Sequence, residues 1–195
     1  MSTTTVPPPA AQVGQLIVGK IGTHALGTFA ELGIADLLAD RSKSADELAR
    51  ATATHAASLG RLLRTLAGLG VLRESPPGMY GLTSTGALLR SDVPGSLRGL
   101  AVMFGSDFHA RAWGNLTHSV RTGEPAFDHV FGMSLFEYLE RHPALAETFD
   151  DAMTSSSAGH AEAVDHDDDE AELSQGLGLP EGVAPVWAVA LAERD

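Results

Sequence analysis

Between Ser44 and Leu82 the order of chemistry-bearing residues leaves few ways to fold. Ser44-Ala45-Asp46-Glu47 has the form of a capping box, so a helix is predicted from Ala45 to about Ala51. Leu59, Leu62, Leu63, Leu66 and Leu69 then make a one-sided stripe at helical spacing, with Arg61 and Arg64 outside it and Gly70 as the stop. Val71-Leu72-Arg73 and Met79-Tyr80-Gly81-Leu82 flank Pro76-Pro77-Gly78, which is turn chemistry between two short strands. Helix, turn, helix, hairpin is a winged-helix pattern.

The rest of the chain reads as mostly helical. From Leu16 to Leu32 the positions Leu16, Ile17, Ile21, Ala25 and Phe29 recur about once per turn, with Lys20, His24 and Thr28 inside or beside the stripe, and Gly33 ends it. Small residues crowd this helix (Gly14, Gly19, Gly22, Gly27), which lowers helix propensity but permits close approach of another backbone. A short second helix follows at Ile34 to Leu38, and Thr83 or Ser84 caps another through Leu89. An apolar stretch runs from Leu97 to about Val120, Phe131 to Leu139 gives a further helical face, and Pro143 opens a helix with Leu145, Phe149, Ala152, Met153 and Ser156 on one side.

Charge divides the chain. The formal net charge is -12. Residues 1–161 contribute -3 of it and residues 162–195 contribute -9, so the body is nearly neutral and the acidity sits in the tail. A general nucleic-acid binder needs a net basic face to displace counterions, and the body lacks one. Residues 41–90 alone hold seven bases against three acids, which keeps a winged-helix DNA-binding regulator as a minor alternative. With no cysteine, thiolate metal sites, disulfides and a Cys nucleophile are excluded. The start has neither a basic nor an apolar leader and no run reaches the length of a membrane span, so a soluble, cytoplasmic protein without membrane contact is expected.

Five segments in order carry a resemblance. Leu62-Leu63-Arg64-Thr65-Leu66-Ala67-Gly68-Leu69-Gly70-Val71-Leu72, Leu82-Thr83-Ser84-Thr85-Gly86, Ser96-Leu97-Arg98, Val120-Arg121-Thr122-Gly123-Glu124-Pro125-Ala126-Phe127 and Phe149-Asp150-Asp151-Ala152-Met153 resemble the N-terminal half of bacterial S-adenosylmethionine-dependent O-methyltransferases acting on aromatic polyketides such as anthracyclines. The resemblance covers roughly residues 12–163. It implies a winged-helix-like dimerisation domain with a small hairpin wing that also covers a substrate pocket, and hence a homodimer.

The family continues into a doubly wound domain with a glycine-rich cofactor loop. No such segment follows here: Gly68 and Gly70 end a helix, Gly176 and Gly178 follow an acidic run, and about 30 residues after Ala163 are too few for a Rossmann-like sheet. The expectation is a disordered tail over 1–12, a dimerisation domain over 13–163, and an acidic linker with an apolar end over 164–195. No cofactor is expected in this chain, S-adenosylmethionine belonging to the complete family enzyme, and methylation by this chain alone is not expected. Hetero-pairing with a complete methyltransferase is a further expectation.

For an aromatic polyketide ligand, the resemblance puts Phe104, His109, Trp113, Phe149 and Met153 on the substrate side. The same aromatic and apolar positions are equally accounted for as core packing. His109 is the candidate acid or base if the chain is instead a cofactor-free cyclase, hydroxylase or decarboxylase, because a neutral-range pKa fits proton transfer. His160, Asp165, His166 and Asp167 to Asp169 hold metal-ligand atoms, but a run of like charges reads as a solvated linker and no metal is expected. Ser155 to Ser157 beside His160 lack an orienting third group, so they are read as small residues at a helix interface rather than as nucleophiles.

Overall fold

The computed structural model describes residues 7–158, with side chains through Met153. Among the described residues there are eleven helices and three short strands. Helix α1 spans Pro9–Glu31, with proline in its first turn, where a missing N–H costs nothing. It begins earlier than the tail boundary read from the sequence, because Pro9-Ala10-Ala11 already favours the helical state; residues 9–12 are therefore helix. The chain then turns through Gly33, left-handed at φ 61°, into α2 (Ile34–Leu37).

The winged-helix pattern is present. Strand β1 (Lys43–Ser44) leads directly into α3 (Ala45–Ala51), where the Ser44 hydroxyl accepts from the Glu47 N–H and Glu47 accepts in return from the Ser44 N–H. That backbone donor, helped by Arg41 at 2.8 Å, holds the Glu47 carboxyl down at about 2. Helix α4 (Ala56–Gly68) buries Leu59, Leu63 and Leu66. Leu69, read as part of that stripe, falls beyond the helix end and is exposed; its Cδ1 stands 3.7 Å from where a Cβ on Gly22 would be. Strands β2 (Leu72–Glu74) and β3 (Met79–Leu82) form the hairpin, Leu72 opposite Leu82, and β1 adds to the other edge of β3 with Lys43 opposite Tyr80. The sheet order is β1-β3-β2, all antiparallel. A first core of Phe29, Ile34, Leu48, Leu63, Leu66 and Tyr80 fills the space between α1, the two winged helices and this sheet.

After α5 (Ser84–Ala87), capped by Thr83, the apolar stretch beyond Leu97 is three helices: α6 (Arg98–Gly105), α7 (Asp107–Gly114) and α8 (Leu116–Thr122). Breaks at Ser106 and Asn115 divide it. Then come α9 (Ala126–Phe131), α10 (Leu135–Arg141), which carries a second capping box on Ser134 and Glu137, and α11 (Pro143–Ala158). A second core gathers Met103, Phe108, Ala112, Phe127, Leu135, Leu139 and Ala152. The two cores meet where α1 crosses α6. There a Cβ on Gly27 would lie 2.6 Å from the Gly105 Cα and 2.9 Å from the Ala101 carbonyl, so only backbone fits on both sides.

The tail read at 164–195 lies outside the described residues, as do His160, Asp165 to Asp169, Gly176 and Gly178; Ser155 to Ser157 belong to α11. Among the described residues no helix is long and apolar enough to cross a membrane, and no three acidic or histidine side chains gather as for a metal ion.

Candidate functional site: an aromatic cleft beside an exposed helix

α7 carries His109 and Trp113 one helical turn apart, so both side chains leave the same face. The Trp113 indole N–H donates to His109 Nε2 at 2.9 Å. Because an indole nitrogen only donates, Nε2 must be the unprotonated nitrogen, and the proton of the neutral ring sits on Nδ1. Phe104, at the end of α6, places its ring 4.5 Å from the His109 ring, and Trp113 lies 5.8 Å away on its other neighbour. The imidazole is thus buried between two aromatic surfaces, 5% exposed. Burial, with a smaller repulsion from His24, pushes its pKa down to about 4.

The opposite wall comes from α1. Lys20, Thr23 and His24 face Phe104, His109, Ala110, Trp113 and Gly114 across a cavity of about 350 Å³, within the roughly 300 to 1,000 Å³ usual for small-molecule sites. His24 Nδ1 donates to the Gly105 carbonyl at 3.2 Å, which ties this wall to the Gly27 and Gly105 crossing. N-terminal of and alongside the cavity wall, α1 exposes Val13, Leu16, Ile17, Val18 and Ile21, with Leu16 81% and Ile17 71% accessible. Within this helix the apolar stripe is buried only from Ala25 onward.

Of the five residues placed on the substrate side from the sequence, Phe104, His109 and Trp113 come together at the cavity. Phe149 and Met153 do not; both pack onto the second core beside Ala152. The neutral-range titration expected of His109 is also absent. Its ring is uncharged at pH 7 and its basic nitrogen is already occupied by Trp113, so it is poorly placed to take a proton from a ligand. In the sequence Lys20 and His24 show only as polar positions in or beside the α1 stripe, and Thr23 carries no signal beyond sharing their side of the helix.

Nor do the described residues fit S-adenosylmethionine. The sheet is antiparallel, without the parallel strand, loop and helix that bring N–H groups to such a cofactor, and Gly68 and Gly70 sit at the end of α4.

Fold and cleft define a winged-helix-like helical module in which one long helix offers both an exposed apolar face and a wall of an aromatic cavity. Residues 15–92 match the O-methyltransferase dimerisation domain. The chain carries the dimerisation domain of the O-methyltransferase family. It is 45% identical over 152 residues to phenazine O-methyltransferase PhzM of Lysobacter antibioticus, covering 78% of this chain and 43% of that protein. The crystal structure of LaPhzM superposes with a TM-score of 0.76 at 42% identity, over 83% of this chain and 49% of the other. CalO1, a methyltransferase in calicheamicin biosynthesis solved with SAH bound, aligns at a TM-score of 0.70 and 33% identity, over 81% and 48%. The chain thus spans less than half the length of these relatives, matching their N-terminal part.

Proposed function

We propose that residues 7–158 serve as the pairing and substrate-walling part of an O-methyltransferase that modifies a planar aromatic secondary metabolite, and that two copies pair through the exposed face of α1. The single observation that carries this is the run Val13, Leu16, Ile17, Val18 and Ile21, all more than half exposed on a helix otherwise packed into the first core. Contiguous apolar surface of this kind marks an association site, and a closed pair with two-fold symmetry covers it with a second identical face. The aromatic cavity adjoining that face supports the substrate role, as does the phenazine named for the similar Lysobacter enzyme. Methyl transfer then needs a nucleotide-binding domain that the described residues do not supply.

Sedimentation of the full chain at micromolar concentration tests the pairing. The unmodified chain is expected to run as a dimer, and Leu16→Glu combined with Ile17→Glu as a monomer with unchanged far-ultraviolet circular dichroism, since both side chains already face outward. A stable monomer before substitution would overturn the proposal.

A further inference from the structure

We infer that the outward face of α4, carrying Arg61 and Arg64, is a binding site for duplex DNA, with the helix laid in the major groove. The inference goes beyond pairing and substrate walling and uses neither the exposed apolar face of α1 nor the aromatic cavity.

No aspartate or glutamate occurs between Glu47 and Glu74, a stretch that holds Arg50, Arg61, Arg64 and Arg73. Ion pairs occupy Arg41, Arg90 and Arg111, and Lys43 donates to the Leu37 carbonyl; among the described residues none of those four arginines has a carboxylate partner. Helical spacing sets their direction. Leu59, Leu63 and Leu66 are buried, so Ala57, Arg61, Arg64, Thr65 and Gly68 share the opposite, exposed face. The Arg61 guanidinium donates to Ser58 Oγ at 3.2 Å, one turn back, which keeps it along the helix. Alanine and glycine at the two ends of this face leave it low enough to enter a groove about 12 Å wide. Helix α3 and strand β2, which pack on α4, carry Arg50 and Arg73, both exposed. The acids that bound the stretch are turned to other donors: Glu47 accepts from Arg41 and from the Ser44 N–H, and Glu74 accepts from the Gly78 N–H at 2.7 Å within the hairpin.

Two helices followed by a hairpin are an arrangement that can place the second helix in the major groove. Guanidiniums free of carboxylates on that helix can bond phosphates and guanine edges with no local negative charge to oppose them. The net charge of the whole chain, -12, works against association with DNA. The contact is therefore local, and its strength is expected to be of micromolar rather than nanomolar order.

Fluorescence anisotropy of the full chain with a labelled random-sequence duplex, between about 50 and about 200 mM salt, tests this. The unmodified chain is expected to bind at the lower salt and to release the duplex as salt rises. Arg61→Gln combined with Arg64→Gln should weaken binding about tenfold at the lower salt and flatten the log–log salt slope by about 1.8, the share of two phosphate contacts. Both side chains are exposed, so the far-ultraviolet circular dichroism of this variant should be unchanged. Arg121→Gln, one exposed positive charge removed from α8, should leave the affinity as it was. Poly-L-glutamate should bind more weakly than the duplex. The inference is overturned if no duplex binds at the lower salt, if the double variant binds like the unmodified chain, or if Arg121→Gln loses as much as the double variant. Poly-L-glutamate binding as tightly as the duplex would also overturn it and make the face a dock for acidic polypeptide.

Discussion

Trp113 Nε1 lies 2.9 Å from His109 Nε2, a donor and an acceptor one turn apart on α7 that settle each other's hydrogen bonding within an aromatic cluster. Burial there favours the neutral ring.

The pH dependence of folding follows from that. The folded pKa of His109, about 4, is below the ordinary 6.5, so between these values the unfolded chain binds more protons than the folded one. Its contribution to stability is complete above pH 6.5 and is lost as pH falls toward 4. The full loss is on the order of 3 kcal/mol. Urea midpoints from pH 7.5 down to 4 should fall more steeply for the unmodified chain than for His109→Gln, whose amide oxygen still accepts from Trp113. Parallel pH profiles would contradict this.

Gly27→Ala is expected to cost about 2 to 3 kcal/mol, because the new methyl meets backbone of α6 on two sides, where neither atom can turn away. Gly14→Ala, on the same helix with nothing within 4 Å, should instead stabilise by about 0.5 to 1 kcal/mol through helix propensity. Thermal melts of the pair check the contrast; equal effects would mean that the crossing is not tight.

Ser119 on α8 is 3% exposed and its Oγ has no hydrogen-bond partner. An unpaired buried hydroxyl is a liability, so Ser119→Ala should raise stability by about 1 kcal/mol. A lower denaturation midpoint for the variant would show that the hydroxyl is bonded after all.

Much of the first core was legible because its signals are local. The Ser44 and Glu47 box, the leucine stripe of α4 and the Pro76-Pro77-Gly78 turn each act within a few residues, and the structure has all three. Strand β1 leaves no sequence signal because two residues show no alternation; pairing with Tyr80 and Met79 creates it. The Ser134 and Glu137 box was there to be read and had the same spacing as the first. The cavity was harder. Phe104, His109 and Trp113 are close in sequence, but Lys20, Thr23 and His24 lie some eighty residues earlier and arrive only through the α1 and α6 crossing. Periodicity put Phe149 and Met153 on an apolar face without saying what that face would meet, and it meets core.

α1 is one unbroken rod of 23 residues, about 34 Å long, seated against α6 at Gly27. Lys20 sits roughly 10 Å along it from that seat and Ile17 roughly 15 Å. Outward from the glycine crossing, the helix carries first the cavity wall and then most of the exposed apolar face. Cavity wall and apolar face therefore stand on one continuous helix whose inner end is fixed in the first core.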